Sequence, residues 1–267
     1  MKKPSYTVGK EKSKLGFLCT ATSAVAAIAA ITGVIAVLLS RDLSSRYLGN
    51  DLAACAFYLA IAIGISLSIT SLIIFKSQAK ETSAPQTTAQ RILTIITSAA
   101  LLASALTVVA SDAPSFIKAI SLTSALIASL ACLISEKSGG INIALVGAYA
   151  KTVFCILVIS VLYLDMKIEM NSPFKLAIQF AAASVSLTAL CDARRIIGGV
   201  SAKISVAAKI IVCLLCFAAG AIAISGVIFK GDLIPVTYLI YSVYFIAEAI
   251  LALVSLWAAE IALHDSI

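Results

Sequence analysis

Lys151 and Glu248 are the residues of this chain whose positions most suggest chemistry, because both fall deep inside apolar segments. A charged residue at the centre of a membrane helix costs roughly 2.5–3.5 kcal/mol on insertion scales. Lys151 lies twelve residues after Gly139. Glu248 lies twelve residues before Glu260. Both side chains are therefore expected about 18 Å from the cytoplasmic ends of their helices, and at this shared depth they can form a buried ion pair.

Tyrosines precede Glu248 on the same predicted helix, and Tyr241, Tyr244 and Glu248 follow one another at intervals of three and four residues. This spacing places the three side chains on one helix face. One interpretation is a polar cavity in which Glu248 binds a cation or carries a proton. The alternatives are an ion pair that only fixes helix register, tyrosines of the outer interfacial belt, and a Lys151 that snorkels to the cytoplasmic boundary.

Cysteine and histidine usage gives little support for a metal site or a redox site. Cys213 and Cys216 lie on one helical face and could serve thiol chemistry, but packing as small apolar side chains is the interpretation we favour. His264 is the only histidine of the chain, so no metal centre and no other cofactor is predicted. The sequence contains no zinc-protease, nucleophile-elbow or Walker motif. An enzyme is therefore not indicated.

Composition places the protein in a membrane. Of its 267 residues 61% are hydrophobic and 12% are charged, whereas soluble domains average about 45–50% apolar and about 25% charged residues. The apolar residues come in blocks of about twenty, which is the length that crosses a bilayer core. We predict an all-α integral membrane protein, a bundle of eight transmembrane helices. The predicted spans are 15–39, 52–75, 92–110, 116–134, 141–164, 174–191, 204–229 and 233–259.

The same spans define the domain organisation and the orientation. A basic tail, residues 1–14, precedes the transmembrane domain, residues 15–259, and a short tail, residues 260–267, follows it. With the N-terminus inside, twelve Lys and Arg residues fall in cytoplasmic segments and six in outer loops, as the positive-inside rule requires. We expect a multi-pass protein of the plasma or bacterial inner membrane with both termini cytoplasmic. The net charge of +7 then reflects topology and not nucleic-acid binding.

A weak internal repeat suggests how the bundle is built. The segment 150–157 recurs 58 residues later as 208–215, so that Lys151 corresponds to Lys209, and a Gly-Gly pair precedes each copy. Two spans in about 58 residues predict tandem antiparallel hairpins, used four times along the chain. Chance similarity in an alphabet of small apolar residues is the alternative.

Small residues four positions apart indicate where helices can approach closely in lipid. The spacing occurs at Ala26/Ala30, Gly64/Ser68, Ala99/Ala103 and Ala219/Ala223. These pairs predict a compact bundle.

The first function that fits these features is a small transporter or permease. Its polar intramembrane site would contain Glu248, Lys151, Tyr241 and Tyr244. This hypothesis depends on the two charged residues facing a cavity that water can enter.

Two further functions from other classes stay open. A membrane scaffold or accessory subunit would offer a basic cytoplasmic face, made of Arg194, Arg195 and Lys203, to a partner protein, a second copy of the chain or anionic lipid. An intramembrane thiol or lipid-modifying enzyme would need a reactive Cys213 or Cys216. The lipid bilayer is the expected surroundings in every case.

Overall fold

The computed structural model describes residues 5–39, 52–74, 87–138, 141–164, 172–198, 202–229 and 235–265, and every regular element among them is an α-helix. The helices are α1 Ser5–Leu39, α2 Leu52–Ile74, α3 Thr88–Ala110, α4 Ser115–Ser138, α5 Ile141–Leu164, α6 Pro173–Ile196, α7 Ala202–Phe229 and α8 Thr237–Asp265. Each contains a segment long and apolar enough to cross a membrane. The predicted eight-helix membrane bundle is confirmed.

Local sequence determines where several helices begin and end. Thr87 caps α3, because its side chain accepts a hydrogen bond from the Gln90 N–H while the Gln90 side chain accepts one from the Thr87 N–H. Pro173 occupies the first turn of α6, where its missing N–H has no intrahelical partner to lose. At the other end of α6, Gly198 has a φ of 79°, the left-handed conformation that closes helices.

Helix α6 extends further than its predicted span. It continues to Ile196, whereas the span was predicted to end at residue 191. Asp192, Arg194 and Arg195 therefore belong to its last turns and not to a loop. Helix α1 begins at Ser5, within the predicted basic tail, and α8 continues past residue 259 to Asp265.

Some predicted features lie outside the described residues. They are residues 1–4 and 266–267 of the two tails, the link from Lys76 with Pro85, and the glycines Gly139, Gly140 and Gly199. We call the end of the bundle that holds Arg194 and Arg195 the basic end. The opposite end, where Pro114, Pro173 and Pro235 precede or open helices, is the proline end.

Six helices form a ring. Helices α3, α4, α5, α6, α7 and α8 each pack against the next, and α8 closes the ring against α3. Helix α1 packs outside this ring on α7 and α8, and α2 packs on α1 and α7. Among the described residues α2 and α3 do not touch, and α4 and α5 pack as closely as the helices of one hairpin do. The packing therefore runs continuously around the ring and does not separate four hairpin units.

Small residues allow α2 to approach α7. A Cβ atom built on Gly64 would overlap the side chain of Leu214, so glycine lets the two helices approach without displacement of this side chain. One turn later, the Ser68 hydroxyl donates a hydrogen bond to the carbonyl oxygen of Ala207 at 3.0 Å. The Gly64/Ser68 spacing thus marks a real helix contact, as predicted.

The other pairs of small residues lie partly in the interior of the bundle and partly on its outer face. Ala219 and Ala223 are buried on α7, and Ala26 is buried on α1. Ala99 and Ala103 are exposed on α3, so the prediction of a helix contact at this pair is wrong for the described chain. Ala100, Leu101, Ser104 and Ala105 supply the buried face of α3 instead.

Candidate functional site

Lys151 on α5 binds Glu248 on α8 through its ammonium group, which contacts the carboxylate oxygen Oε1. Their side chains are 16% and 9% exposed, so the pair lies in the interior of the six-helix ring. The ion pair predicted from equal depth is confirmed. Helices α5 and α8 are nevertheless not neighbours, because no Cα atoms of the two come within 8 Å in the described residues. The two long side chains meet across the space that the ring encloses.

The ion pair lines a cavity of about 130 Å³ that we call the charged cavity. Helices α5, α6, α7 and α8 each contribute one charged side chain to its wall: Lys151, Asp192, Lys209 and Glu248. The hydroxyls of Thr188 and Ser255 add polar wall, and Val185, Ala189, Val212, Leu251 and Ala252 complete it. The residues that line this cavity lie in the half of the bundle nearer the basic end.

Two of the charged groups in this cavity have no partner of opposite charge among the residues that the structure describes. Asp192 accepts a hydrogen bond from the Ser205 hydroxyl at 3.0 Å. Lys209 makes no ion pair with Asp192 or with any other side chain that the structure describes. The cavity therefore presents one neutralised pair, Lys151–Glu248, beside a carboxylate and an ammonium that do not neutralise each other.

Tyr241 and Tyr244 point into the bundle. Their residues are 3% and 0% exposed, and Tyr238 is fully buried as well. This burial contradicts the alternative that the three tyrosines belong to an interfacial belt facing lipid headgroups. The Tyr244 hydroxyl lies 4.0 Å from the Cys155 sulfur of α5. The predicted polar face of α8 is therefore an interior face.

A second cavity, of about 400 Å³, lies at the proline end. Thr237, Tyr238 and Tyr241 of α8 line it. Thr107, residues 110–114 with Asp112 in the turn between α3 and α4, and the last residues of α5 complete the wall. Tyr241 thus faces one cavity and Glu248 faces the other. Seven residues separate them on α8, which is about 10 Å along a helix axis.

Packed side chains of α5 and α8 lie between the levels of the two cavities. Phe154 of α5 meets Tyr244 edge-on, with ring centroids 6.1 Å apart and an interplanar angle of 83°. The Phe245 ring lies beside Tyr244, with ring centroids 5.0 Å apart. Phe154, Tyr244, Phe245 and Cys155 are all fully buried. We call these four residues the aromatic layer.

The predicted basic face is only partly exposed. Arg194 is exposed in the last turn of α6, whereas Arg195 and Lys203 are half-buried. All three lie at the basic end, apart from the charged cavity, so the structure does not bring them together with Lys151 and Glu248. Basic residues in the last turn of a helix also interact favourably with its dipole.

The two cysteines of α7 that share a helical face pack in the interior of the bundle. Cys213 and Cys216 are fully buried, and each contacts a backbone carbonyl: Cys213 that of Ala249 and Cys216 that of Ala181. Neither thiol lines the charged cavity or the proline-end cavity. No group of three His, Cys, Asp or Glu side chains in the described residues is arranged to hold a metal ion.

Two cavity residues were absent from the predicted site. Asp192 was missed because the predicted sixth span stopped one residue before it. Lys209 had a usable signal, since the 58-residue repeat pairs it with Lys151, and both lysines line the same cavity.

No family model, curated protein or solved structure matches the chain.

Proposed function

We propose that this protein is a small permease that carries a polar solute or a proton through the interior of its six-helix ring. The observation that carries the proposal is the pair of cavities in opposite halves of the bundle, separated by the aromatic layer, with the Lys151–Glu248 pair lining one of them. A membrane protein that moves a solute needs a polar site near mid-depth and a barrier that keeps the site closed to one side.

The charged cavity has more charged side chains in its wall than an ion pair alone requires. An ion pair that only fixes helix register needs one cation and one anion, whose desolvation costs several kcal/mol per ion. The charged cavity contains four charged side chains, and two of them lack a partner of opposite charge. Asp192 and Lys209 are half-buried and are not part of the ion pair, and ionisable residues at membrane depth mark solute pathways by default.

The roles of the individual residues follow from their positions. Glu248 alternates between Lys151 and a proton or cationic group of the solute, and Lys151 holds the carboxylate when the site is empty. Tyr241 receives the solute from the proline-end cavity. Tyr244, Phe154 and Phe245 form the barrier, so that transport requires a rearrangement that opens the aromatic layer.

The orientation and location belong to the same proposal. The basic end faces the cytoplasm because Lys and Arg residues translocate poorly, and the protein resides in the plasma membrane or a bacterial inner membrane. Both termini are then cytoplasmic, the charged cavity faces inwards, and the proline-end cavity faces outwards.

The test compares the wild-type protein with Glu248→Gln, Lys151→Met and the double variant. Each protein is purified in detergent, scored for folded yield, and reconstituted into liposomes that contain a pH-sensitive dye. Proton flux is measured under an imposed pH gradient and an imposed potential. Lys118→Met is the matched control, because Lys118 is half-buried on α4 and lines neither cavity.

The expected result is a lower folded yield for the single variants of the ion pair, because each disrupts a buried charged contact, with proton flux per reconstituted protein in the wild type and in Lys118→Met that Glu248→Gln abolishes. A different result contradicts the proposal: no protein, the wild type included, carries proton flux. The ion pair would then be structural, and a membrane scaffold that uses Arg194, Arg195 and Lys203 would take the place of the permease.

A further inference from the structure

We propose that the charged cavity binds a small zwitterion, such as a short amino acid, whose ammonium group contacts Asp192 and whose carboxylate contacts Lys209. This inference rests on the proposed permease function and names the class of solute. It follows from three properties of the cavity, namely which charges are unpaired, the sum of the charges and the volume.

The unpaired charges indicate which groups the ligand carries. Lys151 and Glu248 neutralise each other, whereas Asp192 has only the Ser205 hydroxyl as a donor and Lys209 has no ion pair in the described part of the chain. Asp192 and Lys209 are half-buried, and a carboxylate or an ammonium that is partly withdrawn from water gains from a charged hydrogen-bonding partner. One ligand that carries both groups supplies a partner to each.

The sum of the charges excludes ligands that carry one sign only. The four side chains of the cavity, two lysines and two acids, have no net formal charge. An added anion or cation would leave a net charge in a site that is partly withdrawn from water, and this is unfavourable. A zwitterion keeps the site neutral, so its entry into the membrane interior carries no uncompensated charge.

The volume limits the size of the ligand. A cavity of about 130 Å³ has room for about four water molecules at roughly 30 Å³ each. A compact zwitterion such as glycine or alanine is of this size, whereas an aromatic amino acid or an intact lipid headgroup is larger. The hydroxyls of Thr188 and Ser255 provide further polar contacts beside the charged groups.

The experiment measures thermal unfolding of the full-length protein in detergent with glycine, alanine, acetate, methylamine or phosphoethanolamine at matched concentrations. Acetate and methylamine each carry one half of the zwitterion, and phosphoethanolamine represents a lipid headgroup. Glycine and alanine are expected to raise the melting temperature, and the other three compounds are not, because a ligand that binds only the folded state stabilises it.

Variants then identify the contacts. Asp192→Asn and Lys209→Met are each expected to weaken the apparent glycine affinity at least about tenfold, since each removes a charged hydrogen-bonding partner. Ser205→Ala keeps the charge of Asp192 and removes the hydroxyl that positions it, so a loss of about fivefold is expected. Lys118→Met is expected to bind like the wild type. The Ser205→Ala measurement decides the matter if Asp192→Asn does not fold.

Three results would overturn the inference: stabilisation by acetate or phosphoethanolamine equal to that by glycine, unchanged glycine binding in the Asp192 and Lys209 variants, or no stabilisation by glycine. If glycine does not stabilise the protein but Glu248→Gln still abolishes proton flux, the permease proposal is unaffected. If glycine stabilises the protein but no protein carries proton flux, the zwitterion site is supported and the permease function is contradicted.

Discussion

Glu248 and Lys151 join two helices, α8 and α5, whose backbones are not in contact. In most helix bundles, paired side chains come from adjacent helices that already pack against each other. Here the ion pair crosses the interior of a ring, with a cavity beside it. Loss of either side chain is therefore expected to affect both the stability of the ring and the content of the cavity.

The first prediction concerns the stability of this pair. Glu248→Ala leaves the Lys151 ammonium without its carboxylate, and removal of one member of a buried pair costs about 3–5 kcal/mol. Glu248→Gln retains an amide oxygen that can accept a hydrogen bond from Lys151, so a smaller loss of about 1–2 kcal/mol is expected. Thermal unfolding in detergent measures both effects.

The double variant Lys151→Met, Glu248→Ala provides the control for this prediction. Because it removes both charges, it is expected to be more stable than Glu248→Ala alone. If the stability losses of Lys151→Met and Glu248→Ala simply add in the double variant, the two side chains do not interact in the way that the structure describes.

A second prediction concerns the contact between α2 and α7. Gly64→Ala is expected to destabilise the fold by about 1–3 kcal/mol, because the added Cβ overlaps the Leu214 side chain. Leu214→Ala in the same chain makes room and is expected to restore part of the loss. Ala103→Leu is the matched control, since Ala103 is exposed and its enlargement displaces nothing in the bundle. Equal losses for Gly64→Ala and Ala103→Leu would contradict this packing.

A third prediction isolates one interhelical hydrogen bond. Ser68→Ala removes the hydroxyl that donates to the Ala207 carbonyl oxygen, and such bonds contribute about 0.6 kcal/mol on average in membrane helices. Ser66→Ala is expected to have no measurable effect, because the exposed Ser66 hydroxyl donates within its own helix to Ala62. The difference between their melting temperatures measures the contact, and no difference would mean that the bond contributes nothing.

A fourth prediction tests whether the aromatic layer is the barrier between the cavities. In a chain that keeps Cys155 as its only cysteine, a membrane-impermeant thiol reagent is expected to react very slowly, because Cys155 is fully buried against Tyr244. Tyr244→Ala opens a path from the proline-end cavity and is expected to increase the labelling rate at least tenfold.

Tyr149→Ala is the control for the labelling experiment. Tyr149 is an exposed tyrosine on the same helix as Cys155, so its removal is expected to leave the rate unchanged. Fast labelling of Cys155 in the chain that retains Tyr244 would show that the layer does not seal the cavity.

Much of the candidate site was predictable because helices in a membrane have few degrees of freedom. Depth follows from the rise per residue, so counting from Gly139 and from Glu260 was sufficient to place Lys151 and Glu248 at one level. The shared face of Tyr241, Tyr244 and Glu248 follows from helical periodicity in the same way.

Other residues were not predictable because their surroundings come from distant helices. Ala99 and Ala103 have the spacing of a helix contact, yet their side of α3 faces outwards. Asp192 lies one residue past the predicted end of the sixth span, because no apolar residue pattern shows that α6 continues to Ile196, where this carboxylate lines the cavity. Spacing indicates that a face exists, but it does not indicate which neighbour the face meets.

The sequence by itself determined that the helices lie in lipid, how many helices there are and how deep the charged residues lie. These properties depend on hydropathy and on a fixed rise per residue. Only the tertiary structure decided which helices are neighbours. The packing of α5 on α6, α6 on α7 and α7 on α8 places Asp192 and Lys209 in one cavity with the ion pair. The physical reason is that lipid is as apolar as the helix surfaces, so hydrophobicity does not select partners, and close packing and polar contacts between distant segments do.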